Sequence, residues 1–343
     1  MAVVRYNPDG SQDATFGASG VVTTSTGTTS DQGMGVAIQT DNKIVVVSRS
    51  KVMRYNPDGT LDVGFGAGGM ATATGFNKAV VIQPDNKIVV VGSGRIVRLN
   101  LDGSLDGAFG SSGMTTTPIA INGLALQSDH KIVVAGYSQT PEDTYVFAVA
   151  RYSENGTLDT TFSGDGKVTT AIGPSWDWVY SVAIQADGKI VVAGISNTRV
   201  TGYDYDVAVV RYNSDGSLDI SFGGDGTITT PFSADGNDWG HGVAIQENQK
   251  ILVAGFTDRA PTGEGSYIVG RYNPDGTLDS GLSGDGKAYG PKHGAFAYAM
   301  ALQADGKIIV AGNGGFDFLD VMVVRFEGDV MRDIFLPLLQ REN

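Results

Sequence analysis

Apolar and polar positions repeat along this chain as one unit. Gln185-Ala186-Asp187-Gly188-Lys189 is polar, and Ile190-Val191-Val192-Ala193-Gly194 after it is apolar at consecutive positions. The same block restarts at Gln39, Gln83, Gln127, Gln246 and Gln303. A strand with one wet face would alternate, so this run predicts a short strand buried on both faces. Small apolar residues precede each block, as in Val36-Ala37-Ile38 and Val182-Ala183-Ile184, and predict a partner strand in a crowded place. Between the two strands stand Asp41-Asn42, Asp85-Asn86, Asp129-His130, Asp187-Gly188, Asn248-Gln249 and Asp305-Gly306. Such pairs accept positive φ, so a two-residue primed hairpin turn is expected; Gln249 is the least comfortable occupant, and another turn is expected there.

A second element recurs out of phase with the first. Arg-Tyr-Asn-Pro-Asp-Gly occupies 5–10, 54–59 and 271–276, with variants after Arg98, Arg151 and Arg211 and a shortened one after Arg325. The alternating stretch 207–212 shows the strand that leads into it, and Pro-Asp-Gly suits a turn with Pro at its second position. Leu-Asp and Phe-Gly follow, and then a fourth short strand, as at 20–24, 166–170 and 226–230. One unit is therefore four short antiparallel strands. The spacing from Gln to Gln is 44, 44, 58, 61 and 57 residues. Four strands in a period of roughly 40–50 residues is the signature of a propeller blade. Six inner hairpins predict an all-β fold: a single six-bladed β-propeller of four-stranded antiparallel blades over 1–328, with a tail at 329–343. The last unit has no evident fourth strand, so the strand at 20–24 is expected to supply it, closing the ring with N- and C-terminal strands. Residues 2–6 and 321–326 then compete for one third-strand place, which leaves an unpaired terminal strand for self-association.

The series Gln-x-Asp-Gly-Lys-Ile-Val-Val-Ala-Gly, Arg-Tyr-Asn-x-Asp-Gly-x-Leu-Asp, Phe-Gly-Gly-Asp-Gly resembles the delta-60 repeat family of bacterial β-propellers, over 3–326. The resemblance implies the architecture and an extracellular or cell-surface setting. It carries no agreed catalytic residues.

Charge and composition narrow the function. Acids outnumber bases 37 to 24, a formal charge of −13, which argues against a nucleic-acid partner. There is no cysteine, so disulfides and thiolate chemistry are excluded. No apolar run is long enough to span a membrane, and no signal peptide stands in the chain, which opens in mid-repeat and reads as a truncated piece. Nucleophile elbow and phosphate loop are both missing, and the 49 glycines read as turn glycines.

The connecting loops carry the functional signal. Later units expand them at 137–145, 195–206, 256–266 and 313–320, on the face opposite the uniform turns. Trp176, Trp178 and Trp239 and two of the three histidines, His241 and His293, fall in the fourth-to-first connections. Five positions before each Gln stand Met34, Lys78, Asn122, Tyr180, His241 and Tyr298, a position expected to ring the channel mouth. Lys78, Asn122, Trp176, Trp178, Tyr180, Trp239, His241, His293 and Tyr298 are therefore the candidate ligand contacts, and aromatic faces suit a glycan, a peptide or a small amphiphile. A binding or scaffold module is the leading reading. The alternative is a calcium-dependent hydrolase of the lactonase or phosphotriesterase kind at the same mouth, with His241 as its acid/base candidate and Asn122, Asp177 and Asp238 as Ca2+ ligand candidates. Zinc is poorly supported without cysteine or paired histidines.

Overall fold

The computed structural model describes residues 1–27, 31–74, 76–200, 202–261, 263–290, 296–314, 320–327 and 330–331. Each repeat folds as expected into an antiparallel four-stranded sheet, its strands in chain order. Blade one is Gly33–Ile38, Ile44–Ser48, Val52–Tyr55 and Met70–Ala71; blade two is Asn77–Ile82, Ile88–Gly92, Arg95–Leu99 and Met114–Thr116. Blade three is Ala120–Leu126, Ile132–Gln139, Tyr145–Tyr152 and Lys167–Thr170; blade four is Asp177–Ile184, Ile190–Asn197, Tyr205–Tyr212 and Thr227–Thr230. Blade five is Asp238–Ile245, Ile251–Thr257, Ser266–Tyr272 and Lys287–Tyr289; blade six is Phe296–Leu302, Ile308–Gly314, Asp320–Glu327 and Val330–Met331. The fold class is a six-bladed β-propeller. The chain divides into two compact units: Met1–Val134 with Val149–Thr160 and Gly164–Gly166, and Ala135–Ala148 with Thr161–Ser163 and Lys167–Asn343.

The terminal strands depart from expectation. Val21–Thr23 pairs with Ala2–Val4 in a two-stranded half-blade, and blade six takes Val330–Met331 as its own fourth strand. The two third-strand candidates thus occupy different sheets, because each finds an antiparallel partner close by in sequence. Val3 and Val22 of the half-blade pack on Ile44, Val46, Met53 and Tyr55 of blade one.

The hairpin turns differ too. Gln39 N–H donates to Lys43 O and Asn42 N–H to Gln39 O, which encloses three residues rather than two. Only the last loop residue takes positive φ: Asn42 63°, Asn86 63°, His130 66°, Gly188 83°, Gln249 65° and Gly306 82°. This is a type I turn followed by one left-handed residue. Gln249 adopts the same turn as the others, because only one residue must bear the left-handed conformation. The second strands are buried on both faces as their pattern requires, with every residue of Ile44–Ser48, Ile88–Gly92 and Ile190–Asn197 buried.

The Arg, Asp and Phe of the repeat form one clasp. Arg and Asp eight residues apart pair at 2.5–2.8 Å in Arg5–Asp13, Arg54–Asp62, Arg98–Asp106, Arg151–Asp159, Arg211–Asp219 and Arg271–Asp279. The guanidinium lies over the repeat phenylalanine, 4.7 Å from the Phe222 ring in the case of Arg211. Its remaining N–H groups reach a turn carbonyl in the next blade: Arg54 to Leu101, Arg98 to Glu154 and Arg211 to Pro274. Burial opposes ionisation of Asp219, but hydrogen bonds from Ser221 and Lys189 together with Arg211 hold it well below the usual carboxylate range. The most recognisable residues of the repeat therefore tie blade to blade.

Candidate functional site

The position five residues before the Gln is a β-bulge in five of the blades. Pairing between first and second strands skips Met34, Lys78, Tyr180, His241 and Tyr298 in blades one, two, four, five and six. A bulge adds an unpaired residue, kinks the strand and re-aims the side chain, and bulges recur beside functional sites. In blades two, four, five and six a glycine ends the block and makes room for the bulge, whereas blade one has Ser48 there. A Cβ on Gly92, Gly194, Gly255 or Gly312 would lie 1.7–1.9 Å from the carbonyl oxygen of Phe76, Trp178, Trp239 or Phe296. None of these four glycines has positive φ. Reading every glycine as a turn glycine was therefore incorrect: these four sit in strands and admit a neighbouring backbone.

In the second unit the bulges and long loops bring aromatic rings together. Trp176 and Trp178 stack at 5.7 Å, and Tyr145 stands edge-on to both, at 5.8 and 6.0 Å. Tyr137 lies 5.7 Å from Trp178, and Tyr203 lies 5.6 Å from Trp176 and stacks on Tyr205. His241 faces Tyr180 at 4.3 Å, stacks on Phe256 at 5.5 Å and meets Tyr298 edge-on. Phe256 also touches Trp239 and Phe296, each at 4.5 Å. Tyr180 joins the two sets: burial pushes its hydroxyl up to about 12, and the neighbouring Tyr205 and Tyr137 add to the shift.

Two buried members of the field, His241 and Tyr180, are uncharged at neutral pH. Burial lowers His241 to about 4, so its imidazole is neutral, and the raised Tyr180 stays protonated. The Trp178 Nε1–H is buried without a hydrogen-bond partner. At the outer margin Tyr203 is 64% exposed. Asp206 follows Tyr205 in the third strand of blade four. Burial first, and then the nearby Asp238, push its carboxyl up to about 6 against the pull of Thr198 and Lys287.

The structure gathers six of the expected contacts into two ring clusters, Trp176 with Trp178, and Tyr180, Trp239 and Tyr298 around His241 and Phe256. Lys78 and Asn122 meet in the first unit, Lys78 Nζ donating to Asn122 Oδ1 at 2.6 Å. Burial lowers the pKa of Lys78. His293 lies outside the described residues. Tyr137, Tyr145, Tyr203, Tyr205 and Phe256 were not foreseen. Their signal was available, since each stands at or near the start or end of an expanded loop.

The candidate calcium ligands are engaged with their own loops and neighbours. Asp177 Oδ2 accepts the Ile172 N–H at 2.7 Å, and its Oδ1 accepts the Ser196 hydroxyl at 2.6 Å. Asp238 Oδ2 accepts the Phe232 and Ser233 N–H groups at 2.6 and 3.0 Å. Asn77 caps the same kind of loop in blade two through the Thr74 N–H. These side chains order the fourth-to-first loop. Asn122 Oδ1 already accepts from an ammonium group, which is a poor neighbour for a second cation. Among the described residues, no group of three or more His, Asp or Glu could hold a metal ion. The neighbours of His241 among the described residues are rings, and no carboxylate among those residues is shown orienting it for acid/base work.

The sequence model of the family described as "Domain of unknown function (DUF5122) beta-propeller" matches residues 1–16, 39–65, 83–109, 127–162, 185–222, 246–282 and 303–329. No curated protein matches the sequence. Among solved structures, a catalytically inactive virginiamycin B lyase from Staphylococcus aureus, with quinupristin, superposes with a TM-score of 0.53 at 10% identity, over 89% of this chain and 85% of that one. The extracellular domain of a hybrid two-component system protein from B. thetaiotaomicron superposes with a TM-score of 0.52 at 12% identity, over 90% of this chain and 34% of that one. This chain thus spans about one third of that protein. At such identities the likeness is one of fold. Among the described residues no helix is long and apolar enough to cross a membrane.

Proposed function

The chain belongs to the DUF5122 β-propeller family, and on that footing we propose that it is a non-enzymatic binding module for an uncharged ligand, a glycan segment foremost. The observation that carries this reading is the pair of ring clusters. One is Tyr203–Trp176–Trp178 with Tyr145 and Tyr137. The other is Tyr180–His241–Phe256 with Trp239, Phe296 and Tyr298, in which buried His241 and Tyr180 are uncharged at pH 7. Sugar rings offer apolar C–H faces that stack on Trp and Tyr, and hydroxyls that accept from groups such as the Tyr203 and Tyr205 phenols. Asp206 at the margin, with its pKa of about 6, is mostly ionised at pH 7 and would repel an anionic ligand. We place the repeat in the delta-60 class and the protein outside the cell or at its surface. That placement rests on the motif series and on the extracellular setting of one protein of like fold.

The test is a titration with neutral oligosaccharides, followed by tryptophan fluorescence and calorimetry. Saturable binding that Tyr203→Ala weakens supports the reading. Its defeat would be a panel without binding, alongside reproducible turnover of an ester or lactone.

A further inference from the structure

Lys78 stands apart from the lysines of the hairpin blocks. Each of those follows its turn and pairs with aspartate. Lys43 meets Asp62 at 3.0 Å, Lys87 meets Asp106 at 3.1 Å, Lys131 meets Asp159 at 3.4 Å and Lys189 meets Asp219 at 3.1 Å. Lys250 meets Asp279 at 2.6 Å and Lys307 meets Asp305 at 2.7 Å. Lys78 is the half-buried bulge residue of blade two. Its Nζ donates to Asn122 Oδ1, in the first strand of blade three, at 2.6 Å. That uses one of the three N–H groups of an ammonium. Burial alone lowers its pKa, and no charged group among the described residues offsets that cost. A half-buried ammonium with one neutral acceptor is an unfavourable arrangement unless something answers its charge. In the second unit the same bulge position presents Tyr180 and His241 to a ring cluster.

We propose that Lys78, held by Asn122, is the anchor of a binding site for a small monocarboxylate anion. The carboxylate accepts from the two remaining Nζ–H groups in a charge-assisted pair. Asn122 already fixes the ammonium, so little side-chain freedom is lost when the anion arrives. Partial burial strengthens the attraction relative to open water. One ammonium answers one negative charge, so a monoanion suits the site better than a phosphate dianion. The chain as a whole carries a formal charge of −13 and repels anions at long range, so affinity rests on this local pair. Lys78 and Asn122 both belong to the first unit, and the site does not depend on glycan binding by the ring clusters.

The test is trace labelling of the full chain with fluorodinitrobenzene, read at Lys78 by mass spectrometry. Lys51, in the same unit, is the internal reference. The reagent attacks the neutral amine, and a carboxylate paired with Lys78 holds that amine protonated. Sodium acetate is the probe, set against sodium chloride at equal ionic strength. The expected result is that about 100 mM acetate slows labelling of Lys78 about threefold or more, saturably, and leaves Lys51 unchanged. Asn122→Ala removes the acceptor that fixes the ammonium and should weaken this protection about threefold to tenfold. A second measurement stands independently of that variant. Acetate should raise the melting temperature of the parent over chloride by more than it raises that of Lys78→Met. Four results would each overturn the proposal. Protection by chloride equal to that by acetate would mean screening alone, and no protection up to about 100 mM acetate would mean no site. Inorganic phosphate protecting better than acetate would exclude the monocarboxylate class. An acetate gain in melting temperature that Lys78→Met keeps in full would place the anion elsewhere.

Discussion

The two ends of blade four obey different rules. At the turn end stands the clasp Arg211–Asp219–Phe222, which recurs along the chain with near-identical geometry. At the loop end, the same backbone device, a bulge, presents Met34 in one blade, Lys78 in another, and Tyr180, His241 and Tyr298 elsewhere, backed by a glycine in all but the first of these. The residues that define the repeat hold blades together. The residues that differ between repeats sit where backbone geometry re-aims them. A search for function among the shared motifs would find only the clasp.

The sharpest way to break the comparison is to delete a clasp. Arg211→Ala leaves Asp219 buried without its guanidinium and should cost about 3 kcal/mol of stability, read from urea unfolding. A loss near zero would mean that the blades are held by apolar packing alone. Next in size is the bulge. Gly255→Ala drives a methyl into the Trp239 carbonyl and should cost about 2 kcal/mol or more, with a changed near-ultraviolet dichroism from the tryptophan. Gly107 has open space around it, so Gly107→Ala should stay within about 0.5 kcal/mol.

Much of this was legible in the sequence, and the limits are physical. Blade number and strand order followed from the Gln hairpins, because burial on both faces leaves a continuous apolar run. The Asp41-Asn42 type of pair announced a turn but not its length, since one left-handed residue satisfies it as well as two. The bulge was invisible, because a position counted from Gln says nothing of which partner residue is skipped. Only the glycine at Gly194, Gly255 and Gly312 hinted that a strand there comes too close for a side chain. Asp177 and Asp238 look identical in sequence whether they face an ion or a loop's own N–H groups, so their hydrogen bonds to Ile172 and Phe232 could not be read there.

Acidity gives a smaller effect with a definite sign. His241 has a folded pKa of about 4 against an ordinary 6.5, so the unfolded chain takes the proton first as pH falls. Its contribution is complete above pH 6.5 and lost as pH drops toward 4, on the order of 1–2 kcal/mol once solvent access to the partly covered ring is allowed for. Asp206 acts in the opposite sense: its raised pKa of about 6 makes the folded chain the better proton acceptor, so that contribution is lost as pH rises from about 4 through 6. His241→Gln should therefore remove the acid-side decline and leave the Asp206 slope in thermal melts across this range. Parallel curves for the two proteins would show that His241 is not held neutral by its rings.

A stability effect as small as that of Gly107→Ala belongs to the field's margin. Tyr203→Ala should leave unfolding within about 0.5 kcal/mol of the parent, because the ring is largely exposed, and yet lower ligand affinity about tenfold.

The most direct test of the binding reading is a calorimetric titration of neutral oligosaccharides into the parent protein and Tyr203→Ala at pH 7.5. The account predicts saturable binding by the parent, insensitive to a chelator, and weakened binding by the variant at equal stability. Equal affinity in both proteins, or binding that needs added calcium, would contradict it.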